Sequence, residues 1–477
     1  MRERVQGRRF AAIAAVLGAT ALAALAAGCG EAERELPSIS ISELRPCGEL
    51  PVPDGFRCGS ITAPFEREDA SLGTTKVGFA VRPRGNRERP SLGPIFAVEG
   101  GPGYSSTGTA NAYMNLFGPL LRRHELVLVD QRGQGRSELY DCRDLQRGRG
   151  PEWITLSECA RRLGDRAMSY RTSAAADDID DVRRALGFGE IALYGDSYGT
   201  FLGQSYAYRH PETLRALVLD SAYPLEGEDP WYPSLPRTGV RSMSIACERS
   251  DECSGDAGKR LERLAEHLRE TNRGTGGLID AISEAGSGPN AGEYYLDVDR
   301  AGRELLAGNP EPWERLTDEG NPGFRRPRSY IRAGELVVGC NDYPMIWDKD
   351  AGEEQRREQL ERAIREYDDD AFEPFSPREI ALSSELGYLE CLTWPPPGPH
   401  YEPPKPADAD APDVPTLVVA GELDDITTPI EGRLVAAEFP NSTFYLVRDA
   451  GHVSSLYDGH SREARRIRRF LGGHIGG

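Results

Sequence analysis

Five apolar-rich runs stand out along this 477-residue chain: residues 93–98, 124–129, 190–194 and 214–219, then, far downstream, 414–420. Within each the apolar positions are consecutive rather than alternating. Each run therefore predicts a short strand buried on both faces, as in a parallel sheet. Residues 74–81 do alternate and predict an early antiparallel strand. Between the runs the period turns helical. Thr172 or Ser173 is placed to cap a helix through 176–186, acidic early and Arg-rich late as the helix dipole prefers, with Gly187 to stop it. A second helix is predicted over 200–208. After the last apolar run come a helix over 431–439, a strand over 443–447 and a basic helix over 461–471. Strand and helix alternate throughout, which predicts an α/β, doubly wound, mostly parallel sheet.

The pattern breaks between about Leu225 and Pro412. Strand-like runs vanish and amphipathic stretches replace them. Residues 259–270 put Leu261, Leu264, Ala265 and Leu268 on one face, and residues 351–367 form a charged helix. This reads as a helical cap (225–412) inserted between two parts of one core (47–224 and 413–473). A cap excludes water and shapes a substrate site. The stretch from Cys142 to Cys159 reads as an irregular excursion within the first part.

Charge and cysteine refine the picture. The formal charge is −19. Residues 1–28 hold four arginines against one glutamate, so the remainder carries −22. That excludes a nucleic-acid binder, whose partner needs Lys and Arg. Arg2, Arg4, Arg8 and Arg9 precede an uncharged Ala-rich run over 10–27, the layout of a signal peptide (1–28). Leu25-Ala-Ala-Gly-Cys29 resembles a bacterial lipobox, with Cys29 as the lipidated residue and 29–46 as a polar tether. Plain secretion is the alternative. Eight further cysteines remain, an even number suited to an oxidising compartment. Pairing of sequence neighbours is expected: Cys47–Cys58, Cys142–Cys159, Cys247–Cys253 and Cys340–Cys391. No cysteine pair has the spacing of a zinc site, and no cofactor or metal is implied.

The chemistry centres on Gly195-Asp196-Ser197-Tyr198-Gly199. The G-x-S-x-G pattern alone is weak in a chain with 53 glycines. Here it lies between a strand and a helix, the setting of a nucleophile elbow. An acid after a late strand (Asp424, with Asp425 as its rival) and His452 complete the Ser…Asp…His order of α/β-hydrolases. Ser197 is the expected nucleophile, His452 the base and Asp424 its orienting acid. The Gly-rich loop 100–103 follows the 93–98 strand, so the N–H groups of Gly101 and Tyr198 are the expected oxyanion donors. Asp130 and Arg132, at the end of the 124–129 strand, are expected to form a structural ion pair that shapes the loop behind the elbow, with a catalytic role as the alternative.

The motifs 100–103, 130–137, 195–200, 338–342, 391–395, 421–424 and 451–452 together resemble those of bacterial tripeptidyl aminopeptidases and proline iminopeptidase relatives. The likeness runs from Cys47 to about Leu471. One departure is Glu99, where many relatives of the iminopeptidase branch carry His. The resemblance implies an exported or lipid-anchored serine hydrolase that removes short peptides from free amino termini, so the substrate partner would be a peptide. Such a substrate calls for carboxylates around its ammonium group, for which Glu99, Asp342 and Glu390 are candidates. A carboxylesterase or lipase using the same triad is the alternative activity, and a non-catalytic envelope protein that keeps the fold for binding is a third reading.

Overall fold

Nine strands hydrogen-bond into one sheet in the computed structural model, which describes residues 36–475 apart from 49–51, 228, 254, 319–329, 384, 385 and 387. The strands are β1 (Arg45–Pro46), β2 (Arg57–Pro64), β3 (Thr74–Arg82), β4 (Ile95–Val98), β5 (Leu126–Val129), β6 (Ile191–Asp196), β7 (Leu214–Asp220), β8 (Thr416–Gly421) and β9 (Ser442–Val447). Their order is β1-β2-β3-β5-β4-β6-β7-β8-β9. The first three run antiparallel to their neighbours, and β5 through β9 pair in parallel. The expected signal peptide (1–28) and lipidation site, Cys29, lie outside the described residues.

The consecutive apolar runs are explained by burial on both faces. On β4, Phe96 and Val98 face the helices Thr172–Ala185 and Tyr198–Arg209, while Ile95 and Ala97 face Ala110–Phe117 and Arg462–Ile475. Leu193 and Leu217 follow the first pair, and Ala192, Tyr194, Ala216 and Val218 the second. Side chains alternate along a strand, so a strand packed on both sides must be apolar throughout.

Several expectations shift. Residues 37–46 are not a free tether: Ile39 N–H donates to Ala185 O at 2.7 Å, Leu44 is buried, and β1 pairs with β2. The Cys142–Cys159 stretch is not irregular, since it holds helices Arg143–Gln146 and Glu152–Leu163. Leu145, Leu156 and Cys159 pack into the same apolar cluster as Leu261, Leu264 and Leu268 of the 225–412 insertion. Two excursions, not one, therefore build the cap. The 172–185 helix starts earlier than expected, with Arg171 in the capping position and Thr172 already helical. The sulfurs of Cys47–Cys58, Cys142–Cys159, Cys247–Cys253 and Cys340–Cys391 are joined as disulfides.

Candidate active site

Ser197 stands where β6 turns into the helix Tyr198–Arg209, at φ 52° and ψ −125°. A non-glycine residue reaches this left-handed region only when its surroundings enforce it. The enforcing contacts are visible. A Cβ on Gly195 would lie 2.0 Å from Gly199 O, and one on Gly199 would lie 2.3 Å from Val98 O. Strand, turn and helix are packed too closely for any side chain there. Ser197 N–H donates to Asp220 O at the end of β7, and Ser197 O accepts from the N–H and hydroxyl of Thr200 (2.9, 2.8 and 2.7 Å). The hydroxyl is thereby presented at the carboxyl edge of the sheet, at the amino end of the helix, whose partial positive charge favours developing anions.

Asp424 and His452 follow β8 and β9 at the same edge. His452 Nδ1 lies 3.1 Å from Asp424 Oδ2. Asp424 is fully buried, and its other oxygen accepts the backbone N–H groups of Ile426 and Thr427 (3.1 and 2.9 Å). Its carboxylate is acceptor-only, so the short contact makes Nδ1 the protonated nitrogen and leaves the Nε2 lone pair free. Thr427 Oγ1 touches both Asp424 Oδ2 and His452 Nδ1 at 3.1 Å. Asp425 points elsewhere, toward Gly239, Gly286 and the phenol of Tyr295. The choice between the two aspartates thus follows from which one meets the imidazole.

The cap holds this machinery in place. Gly286 O accepts from His452 N–H at 2.7 Å, and Gly288 N–H donates to His452 O at 2.9 Å, as a short parallel bridge. Ile331 N–H donates to Gly103 O at 2.9 Å, tying the cap to the Gly-rich loop. Within that loop Gly100 packs against Ser197, since a Cβ there would sit 2.6 Å from Ser197 Cβ. Gly101 is solvent-exposed at φ 110°. Asp130 supports the loop from below, accepting from Thr107 N–H and hydroxyl and from Arg136 N–H (2.9, 2.7 and 2.8 Å). The expected Asp130–Arg132 ion pair does not form. Arg132 instead makes a buried bidentate pair with Asp178 (2.8 and 2.7 Å), because the turn at Gly133 and Gly135 aims Asp130 inward and Arg132 toward the 172–185 helix.

The three candidate amine-binding carboxylates separate clearly. Asp342 is buried and accepts Thr172 N–H and hydroxyl (both 2.6 Å) and the Tyr401 hydroxyl (3.2 Å). Burial pushes its carboxyl up against these bonds. It anchors the cap helix Arg332–Asp342 to the amino end of a core helix. Its neighbour Asn341 donates to Ala167 O and Tyr170 O and accepts from Trp394 Nε1, beside the Cys340–Cys391 disulfide. The two cysteine motifs are therefore the joint between cap and core. Glu390 sits half-buried at that joint, near Glu152 and Arg332. Of the three, Glu99 is the one directly joined in sequence to Gly100, the residue packed on Ser197.

Glu99 is not alone there. The buried phenol of Tyr113 meets Glu99 Oε2 at 3.0 Å and Asp196 Oδ1 at 2.8 Å. One phenol hydrogen serves one oxygen, so the second contact is satisfied when one carboxyl keeps a proton. Burial pushes both carboxyls up, and the mutual repulsion adds to this for Asp196. The adjoining Asp220, bonded to Tyr194 and Ser455, is raised by burial to about 6. Sequence reasoning missed Tyr113, Thr427 and the 286–288 segment. Only Thr427, a hydroxyl three residues after the acid, lay within reach of a local pattern. The one cluster with metal-ligand geometry among the described residues, Cys247, Cys253 and Asp299, is a disulfide beside a carboxylate held by Arg260 at 2.8 Å.

Residues 93–238 match the family described as alpha/beta hydrolase fold, and residues 381–473 match the one described as TAP-like protein. The serine protease Hip1 of Mycobacterium tuberculosis (strain ATCC 25618 / H37Rv) is 25% identical over 436 residues, 80% of this chain and 78% of the relative. A proline iminopeptidase of Neisseria gonorrhoeae is 32% identical over 126 residues, 26% of this chain and 31% of the relative. A tripeptidyl aminopeptidase of Streptomyces lividans is 27% identical over 205 residues, 38% of each chain. The chain is an α/β-hydrolase and a serine hydrolase, related to these bacterial peptidases.

Proposed function

We propose that this α/β-hydrolase is an exported, lipid-anchored aminopeptidase that releases short peptides from free amino termini. The observation that carries the catalytic part is the Asp424–His452 contact, made at the same sheet edge as a serine held at positive φ. In this reading Ser197 Oγ attacks the scissile carbonyl carbon while His452 Nε2 takes its proton. The carbonyl oxygen, now negative, is received by the N–H groups of Gly101 and Tyr198. The C–N bond then breaks as His452 gives the proton to the leaving amine. Water, deprotonated by His452, splits the acyl-enzyme and restores Ser197. Asp424 keeps the imidazole in the Nδ1–H tautomer and balances its charge. The peptidase relatives support peptides as substrates, and the acidity of residues 29–477 favours a cationic amino terminus. The leader pattern and Cys29 support export with a lipid anchor.

The test uses a tripeptide amide with a free amino terminus, its N-acetylated twin and a short p-nitrophenyl ester, with Ser197→Ala alongside. Cleavage of the free-amine peptide alone, abolished in the variant, is the expected result. Ester turnover with neither peptide cut makes the protein an esterase. No turnover, with Ser197 unlabelled by a fluorophosphonate, removes the catalytic reading.

A further inference from the structure

The sheet edge opposite Ser197 is basic in an otherwise acidic protein. The loop before β4 and the turn before β5 pack together there: Gly85 N–H donates to Leu121 O and Asn86 N–H to Arg122 O, both at 2.8 Å. Arg123 reaches Pro90 O at 3.1 Å, and Arg215, at the start of β7, reaches Leu92 O at 3.2 Å. The carboxyl end of the last helix joins them, Gly472 lying beside Leu120. This brings Arg87, Arg89, Arg122, Arg123, Arg215 and Arg469 to one edge, four of them exposed and two half-buried. None of the six forms an ion pair among the described residues. Glu125, the acid between them, is already ion-paired with Arg84 at 2.6 Å and accepts a hydrogen bond from Ser91. Glu88, Glu190 and Glu212 are exposed acids on the same edge, and Asp410 and Asp413 lie toward its β8 end, so the six arginines outnumber the five exposed acids there.

The direction in which the chain leaves the folded unit adds a second observation. Ile39 is bonded to Ala185, at the carboxyl end of the helix that leads into β6, and so at this same edge. From Pro37 back to Cys29 is eight residues, a reach of at most about 28 Å when extended.

We propose that this arginine edge docks on the anionic phosphate headgroups of the membrane, so that Ser197 faces away from the bilayer. The proposal rests on the lipid-anchor reading for its geometry. Charge gives it direction: the remaining acidic surface is repelled by an anionic bilayer, while arginines near that bilayer are attracted, by about fivefold in partitioning for each one within a Debye length. β6 spans six residues, or about 20 Å, so docking at one end leaves the nucleophile well clear of the headgroups.

The full chain carrying Cys29→Ser, which cannot be lipidated, is sedimented with vesicles of phosphatidylcholine alone or with about a third phosphatidylglycerol. The leader carries a net charge of +3 and favours anionic vesicles by itself, so the comparison of wild type with variant on the same vesicles isolates the arginine edge. Partitioning should be at least tenfold higher on the anionic vesicles and should fall about tenfold or more in R87Q/R89Q/R122Q/R469Q, and this gap between wild type and variant should close in high salt. That variant should keep its fluorophosphonate labelling at Ser197, which shows that it is folded. Equal partitioning into both vesicles, or an unaffected variant, overturns the proposal. So does equally tight capture by dextran sulfate without lipid. Fatty-acid labelling at Cys29 of the wild-type chain tests the anchor separately, and its failure leaves the vesicle result standing.

Discussion

Replacing Glu99 by Gln should make the protein more stable, and increasingly so as the pH rises. The Tyr113 oxygen lies 3.0 Å from one carboxyl and 2.8 Å from the other, so the two acceptor oxygens are no more than about 6 Å apart. Two unit charges at that distance repel by about 3 kcal/mol at an effective dielectric constant of 20. The native pair avoids this by keeping a proton, and burial raises both carboxyls in the same direction. The unfolded chain loses that proton in the ordinary carboxylate range. Above that range the native state binds more protons than the unfolded one, so stability falls as the pH rises toward the raised native value. Gln cannot ionise, and its amide can donate to Asp196. The variant should match the wild type near pH 5 and exceed it by about 3 kcal/mol near pH 9, a few degrees in Tm for a chain of this size. Asp220, raised to about 6 beside the pair, is present in both proteins and also repels Asp196, so the two are compared below and above its titration, near pH 5 and pH 9. Thermal unfolding of both at the two pH values is the assay. Asp196→Asn should behave likewise, and the double variant should not add, because both changes relieve one repulsion. A difference that stays flat with pH, or a variant less stable at pH 9, would refute the shared proton.

Other outcomes follow from the same contacts. Asp424→Asn should lower kcat by about 10⁴ with little change in KM, while Asp425→Asn stays within a few-fold, measured on whichever substrate the protein turns over. Thr427→Val removes the hydroxyl bridging Asp424 and His452 and should cost roughly tenfold in kcat. Gly199→Ala, with its methyl 2.3 Å from Val98 O, should destabilise by more than about 4 kcal/mol and appear as insoluble expression or a collapsed Tm. Asp342→Ala strands Thr172 N–H and should cost about 2 kcal/mol of stability with KM unchanged. A KM rise specific to free-amine substrates would instead make Asp342 an amine ligand.

What the sequence discloses follows from how far apart the interacting residues lie. A strand buried on both faces needs consecutive apolar residues, so the parallel strands could be read locally, and with them the loop ends that carry Ser197, Asp424 and His452. The nucleophile elbow is equally local, because Gly195 and Gly199 meet within one turn. Asp130 shows the limit. Its place at a strand end was legible, but its partners, Thr107 and Arg136, depend on a turn whose direction only packing decides, and Arg132 left it for Asp178, 46 residues on. The Cys142–Cys159 helices were obscured in the same way. Their apolar faces, Leu145 and Leu156, are covered by the later insertion rather than by the sheet, so no strand flanks them to set a register. The site itself depends on such distant contacts. His452 is held by backbone atoms of Gly286 and Gly288, and the Gly-rich loop by Ile331, all from the cap. Backbone donors and acceptors are the same for every residue type except proline, which lacks the N–H, so these bonds leave almost no mark on the sequence. A cap that only covered the cleft could move without disturbing the catalytic residues. This one is hydrogen-bonded to the loops that bear the imidazole and the glycines, so a cap displacement that breaks those bonds also releases the geometry on which acylation depends.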